Sequence, residues 1–353
     1  MEGNLVNNFF SGSSDFMRRS PTGGGEMRDD ARKILGISFA VVLLLTTTVI
    51  GVSVAEEKFP TQPVTIIISW SPGGGQDLTA RALQPLVEKA LGESVVVVNK
   101  PGGGASIGFN YVADSKPDAY TLLQASPSIS ILKYTMKAGV DYKRYEPIIF
   151  GAYTPAAVLV RADAPWNTLK EFLDYAKANP GKLRVGNSGH GAIWHISALA
   201  IEHAAGVQIT HVPFKGTSPS IPSILGGHID AILAGFGDTM HLVKGGKLKY
   251  LGIAAPERSK FAPELQTCKE LGMDVEMISY YSWLAPKGTP TERVKILHDA
   301  FRKALESKTF KEYTEKQGIT IAIKGSEEFA NFLDKEDKKF GELITIAGIK
   351  PKG

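Results

Sequence analysis

The chain has 353 residues, 43% of them hydrophobic and 22% charged, with a formal net charge of +4. That length accommodates two ordinary domains, and the balance is that of a globular protein rather than a disordered or collagen-like one. No basic run or Lys/Arg–aromatic interleaving argues for nucleic acid, and the single cysteine, Cys268, excludes an intrachain disulfide framework and a Cys-cluster metal site.

Residues 1–26 are polar, glycine-rich and without a folding pattern. Arg32-Lys33 then precede an uncharged stretch, 34–55, which ends in Ser53-Val54-Ala55 before Glu56-Glu57. This is the layout of an export signal with a small-residue cleavage site, and Met27-Arg28 would make a conventional start. At about 1.5 Å per residue the apolar core is also long enough to span a bilayer as a retained anchor. No cysteine follows it, which excludes a lipid anchor. The folded part is expected to begin near Phe59 and to lie outside the cytoplasm.

From there short apolar runs alternate with amphipathic stretches, the α/β signature. A strand over 64–70 leads through Pro72-Gly73-Gly74-Gly75 into a helix over 78–91, with Asp77 as N-cap and Gly92 as stop. A strand over 95–99 leads through Pro101-Gly102-Gly103-Gly104 into a shorter helix carrying Ile107, Tyr111 and Val112, and Tyr120–Leu123 reads as a third strand. The apolar stretch 148–160, interrupted by Pro155, reads as a crossing between domains. A second α/β region follows: a helix over 168–178, a strand over 183–187, a helix over 192–205, a strand over 208–212, a helix ending at Gly226-Gly227, and strands over 229–234 and 248–254. Residues 280–286 read as a return crossing, and helices over 291–306 and 326–344 close the chain.

A strand, a glycine turn and a helix start together make an anion site, because unpaired first-turn N–H groups face whatever binds there. Two such loops close together suggest a pincer for a small anion. Gly75 is followed by Gln76-Asp77, not by the Lys-Ser/Thr of a phosphate loop. The second strand ends Val98-Asn99-Lys100, without the acid that would hold a ribose, so a nucleotide cofactor is not expected. A carboxylate held by backbone dipoles fits better.

Six of the seven histidines fall between residues 190 and 241, but the first four, at 190, 195, 203 and 211, lack the i, i+4 spacing of a helical zinc pair. His190 and His195 are instead candidates for ligand contacts or local capping. Gly186-Asn187-Ser188-Gly189-His190 misses the Gly-x-Ser-x-Gly nucleophile elbow. An exported serine hydrolase using Ser188, His190 and Asp230 is therefore the alternative reading. Trp70, Trp194, Phe214, Tyr280 and Trp283 sit at strand ends, crossings or loop mouths, where together they could wall a cleft.

From Phe59 onward the chain resembles the extracytoplasmic receptors of tripartite tricarboxylate transporters, the Bug-type solute-binding proteins. The resemblance rests on Pro72–Asp77 with Ala80-Arg81, Asn99–Gly104 with Ile107-Gly108, Pro117–Leu123, Val212–Gly216, Leu225–Asp230 and Leu284–Pro290, in that order and spacing. Ala119 stands where the family usually has glycine. The resemblance implies a two-lobed periplasmic binding protein fold of type II-like α/β architecture, each lobe a mixed sheet flanked by helices, with the ligand cleft between lobes. Residues 56–157 would start lobe 1, 158–279 form lobe 2, and 280–353 return to lobe 1.

Carried over, the family's carboxylate site points to Ser71, Pro72, Gly73, Gly74 and Gly75, and to Gly102, Gly103, Gly104, Ala105 and Ser106. Trp70, Asp77, Ser126 and Ser128 would line the same wall. Ser188, Gly189, His190, Gly191, His195, Phe214, Lys215 and Gly216 would close over the ligand from lobe 2. The implied function is a monomeric, non-catalytic periplasmic receptor without cofactor or metal. It would capture a di- or tricarboxylate or related organic acid and deliver it to a two-component membrane permease, or feed a sensor kinase instead.

Overall fold

The β-branched run Val64–Ile68 forms β1, which pairs in parallel with β2 (Val95–Asn99) on one side and β3 (Thr121–Ala125) on the other. Helix α1 (Gly75–Leu91) connects β1 to β2, and α2 (Ser106–Ala113) connects β2 to β3. The computed structural model describes residues 58–346, 349 and 351, so the export segment lies outside the described residues. Gly92 ends α1 in a left-handed conformation, as expected. Asp77 is not the N-cap: that position falls to Gly74, and Asp77 lies inside the first turn.

The strand β4 (Tyr145–Arg161) runs through the whole molecule. Its residues 145–155 pair antiparallel with β9 (Ile278–Pro286), which also pairs with β3. Its residues 156–161 pair with β8 (Leu248–Ala254), and 156–159 also with β7 (Ala231–Gly235). Strand β5 (Arg184–Asn187) joins β7 and β6 (Thr210–Pro213) in parallel. The order is β2-β1-β3-β9-β4-β7-β5-β6, with β10 (Thr320–Lys324) added on β4. β4 is thus one continuous ribbon that serves a sheet in each of two lobes.

Helices cover both sheets: α4 (Leu169–Ala178), α5 (Ile193–Ala205), α6 (Ser220–Leu225) and α7 (Phe236–Lys244) in the second lobe, α8 (Thr291–Leu305) and α9 (Lys308–Gln317) in the first. The last helix, α10 (Ser326–Ile346), places Phe329 and Leu333 in the first lobe's core and Phe340 and Ile344 in the second's. It therefore straps both lobes rather than returning only to the first. Helices α3 (Ser128–Thr135), α7 and α9 and strand β10 go unread in the sequence. The Ser128-Ile129-Ser130-Ile131 alternation of α3 mimics a strand, and Gly235 and Gly237 obscure the start of α7.

Tyr280 and Trp283 are fully buried on β9 rather than walling the cleft. Trp283 stacks on Phe301 with ring centroids 4.6 Å apart, and Tyr280 packs against Phe150 at 5.3 Å. Truncating Trp283 to alanine removes the side chain that joins β9 to α8. The expected loss is about 3–5 kcal/mol, seen as a lower denaturant midpoint at unchanged slope; a loss below about 1 kcal/mol contradicts this packing account.

Candidate ligand-binding cleft

The cleft is built from the ends of strands. β1, β3, β5 and β7 each finish where a polar or small residue turns into a helix start: Ser71–Gly75 before α1, Ser126 before α3, Ser188 before α5, and Gly235 before α7. These ends close on a space of about 30 Å³ between the lobes, room for about one or two water-sized groups and well below the roughly 300–1,000 Å³ of open ligand pockets. Of the residues expected at the site, Trp70, Ser71, Gly74, Gly75, Ser126, Ser188 and Gly216 line this space. Gln76, Ile193, Trp194, Thr217, Asp238 and Ser279 line it too.

No side chain caps α1, whose N-cap is Gly74, so its first N–H groups face the cleft with the positive end of the helix dipole. Gln76 fixes that end: its Nε2 donates to the Tyr280 carbonyl at 3.0 Å, while Gln124 Nε2 donates to the Gln76 carbonyl at 2.7 Å. The hydroxyls of Ser126 and Ser188, with Trp70 Nε1, are buried and have no hydrogen-bond partner among the described residues. A buried polar group left unpaired costs about 1–3 kcal/mol. Two hydroxyls and an indole N–H converging on one cavity therefore define a place for a polar ligand.

The lobes touch around the rim. Ser71 Oγ donates to the Lys215 carbonyl at 3.1 Å, and Ile193 N donates to Ser128 Oγ at 3.2 Å. Gly104, in the left-handed region at φ +63°, lies so close to the His190 carbonyl that a Cβ there would sit 3.0 Å from it.

Several expected residues support the cleft from outside its lining. Asp77 turns away: its Oδ2 accepts from Gly73 N at 2.9 Å, and its Oδ1 accepts from Arg81 Nε and Asn99 Nδ2, each at 2.9 Å. Burial works against ionisation there, yet the bonds from Arg81, Gly73 and Asn99 hold its carboxyl below the usual range. Asp77 thus ties Gly73, beside Pro72, to the end of β2. The second glycine loop, Gly102 through Ser106, packs against the opposite lobe near Gly189 and His190 instead of facing the cavity. Ser128, Phe214 and Lys215 serve the rim and the second lobe's core through backbone and packing contacts.

The histidines form a ladder behind the cleft. The His190 and His195 rings lie 5.0 Å apart, as do those of His195 and His211. His195 Nδ1 accepts from Gly191 N at 3.1 Å, and His211 Nε2 lies 2.8 Å from Glu202 Oε2. The alternative catalytic set does not assemble. Asp230 pairs with Arg184 at 3.0 Å at the start of β5, and Ser188 follows the far end of that strand, about 13 Å away by strand rise.

Asp238, in the first turn of α7, is the residue the sequence reading missed. It lines the cavity and accepts a hydrogen bond from the Tyr281 hydroxyl of β9. A Cβ on Gly75 would fall 1.8 Å from its Oδ1, so only glycine lets α1 start against this carboxyl. The signal was present: Phe236, Met240 and Val243 repeat at i, i+4, i+7 after a buried strand, with an acid in the first turn.

Comparison with known proteins places this architecture. The model of the tripartite tricarboxylate transporter family receptor matches residues 79–349. The chain belongs to this receptor family. A UPF0065 protein from the gbd 5′ region of Cupriavidus necator is 35% identical over 297 residues, covering 83% of this chain and 90% of the relative. The periplasmic binding protein BugD superposes with a TM-score of 0.80 at 29% identity, over 83% of this chain and 100% of its own. MatC from Rhodopseudomonas palustris, solved with bound malate, has a TM-score of 0.76 at 25% identity, over 81% and 100% of the two chains. The two-lobed periplasmic binding protein fold expected from the sequence is therefore the fold of this receptor. Among the described residues no helix is long and apolar enough to cross a membrane.

Burial pushes the Asp238 carboxyl up from 3.8 to about 6, with the Tyr281 bond opposing part of that rise. A carboxyl raised in the folded state stabilises the fold fully below its ordinary value and loses that contribution as pH climbs through the raised one. Ligand-free Asp238→Asn is thus expected to be more stable than wild type at pH 8, by about 2–3 kcal/mol at most, with no gain at pH 3. Denaturant melts at the two pH values check this; an equal gain at both contradicts it.

Proposed function

We propose that the receptor captures a small carboxylate between its lobes outside the inner membrane and delivers it to a two-component membrane permease of the tripartite tricarboxylate type. The observation that carries this reading is the meeting of Ser126 and Ser188 hydroxyls, buried and unpartnered among the described residues, at a cavity closed by the uncapped start of α1. The malate held by MatC supports a carboxylate in this cleft.

The energetics fit reversible capture. A helix N-terminus contributes about 0.3–1 kcal/mol to an anion, up to about 2 when partly buried, and each hydrogen bond to a charged group about 1.5–3. Several together, less the association cost, reach the roughly −8 kcal/mol of micromolar binding. Among the described residues no lysine or arginine lines the cavity, so the ligand is held by dipoles and hydroxyls that release it when the lobes part.

The test is a melting-temperature panel of organic acids against the purified receptor, since a ligand that binds only the folded state raises its Tm. At least one small carboxylate is expected to raise Tm, and its amide to bind at least tenfold more weakly. Ser126→Ala and Ser188→Ala are each expected to weaken that acid about tenfold, or about 1.4 kcal/mol, without lowering the ligand-free Tm. An amide that binds as well as its acid contradicts the reading.

A further inference from the structure

Among the described residues that line the cavity, one is acidic, Asp238, and none is lysine or arginine. Asp238 is half-buried at the cavity, and the polar contact made to its carboxyl is the Tyr281 hydroxyl. Among the described residues no ion pair involves it. Its carboxyl lies against Gly75, the first residue of α1, and so beside the seat where the ligand's carboxylate would rest. A purely anionic ligand would bring a second negative charge next to it inside a small, closed space, where such repulsion is strong.

Resting on the receptor reading above, we propose that Asp238 is the specificity residue for an ammonium group, and that the ligand is an α-amino acid. In such a zwitterion the carboxylate and ammonium leave the same carbon. The carboxylate would sit at the start of α1 with the Ser126 and Ser188 hydroxyls, while the ammonium donates to Asp238. The pair of charges then balances within the cleft without a protein cation. A partly desolvated charge is stabilised when it is paired and hydrogen-bonded, and the ligand supplies that pairing. Tyr281 holds the carboxyl in place from β9, so Asp238 joins the second lobe, the crossing strand and the ligand. Trp70 and Trp194, both buried at the cavity wall, would face the rest of the amino acid.

The experiment is calorimetric titration of the full receptor, freed of bound solute by unfolding and refolding, at pH 8. Matched probes differ only at the α-position: aspartate against malate, alanine against lactate, phenylalanine against phenyllactate, glutamate against 2-hydroxyglutarate. At least one amino acid is expected to bind ten- to a hundredfold more tightly than its hydroxy counterpart. Asp238→Asn is expected to erase that preference while retaining binding of the hydroxy acid. The proposal is overturned if hydroxy acids or succinate bind wild type as tightly as the amino acids, or if Asp238→Asn keeps the preference. Should no acid of either set bind, the carboxylate-receptor reading falls as well. The wild-type comparison decides the question even if the variant does not fold.

Discussion

Everything in this molecule hangs on the antiparallel pairing of β4 with β9. From Tyr145 opposite Pro286 to Pro155 opposite Ile278, the two strands form the ladder from which the first lobe's sheet extends. β4 then continues past Pro155 to carry β7 and β8 of the second lobe. One ribbon thus fixes where the two lobes face each other. The pairing also sets the cleft floor, because Tyr281 reaches Asp238 from β9 while Thr154 Oγ1 on β4 accepts from Gly237 N at 2.7 Å. Each lobe buries its own apolar cluster, and helix α10 contributes Phe329 and Leu333 to one and Phe340 and Ile344 to the other.

The recognition chemistry follows from that placement. Strand ends meeting at a switch between lobes present helix starts to a common space, and helix starts favour negative charge. Among the described residues the lining holds no lysine or arginine, and its charged group is the half-buried carboxyl of Asp238. This balance separates a site that holds a solute reversibly from one built for phosphate, where lysine and arginine dominate. Rim contacts such as Ser71 Oγ with the Lys215 carbonyl are neutral hydrogen bonds, each worth about 0.5–1.5 kcal/mol.

The alternation of apolar runs and amphipathic stretches made most of the fold legible, because β1, β2, α1, α5 and α8 obey local rules of periodicity and capping. Elements that depend on tertiary context did not show. The α3 segment alternates like a strand but is helical because Ile129 and Ile131 are claimed by different cores. Of the two glycine loops expected at the site, the first contributes Ser71, Gly74 and Gly75 to the cavity lining, whereas Gly104 of the second meets the facing lobe at His190. Asp77 looked like a cap and is a tether, a difference set by Arg81 and Asn99. The apolar repeat of α7 could have located Asp238, but not its role, which comes from Gly75 and Tyr281, far away in sequence.

The central claim is that this cleft closes on a carboxylate solute. Its most direct test is the distance between spin labels on exposed positions of the two lobes, Tyr111 and Tyr175, with Cys268 buried and unlabelled. The account predicts a broad, longer distribution in the ligand-free receptor and a narrower, shorter one when the receptor is saturated with the acid that raises its melting temperature. An identical distribution in both states contradicts it.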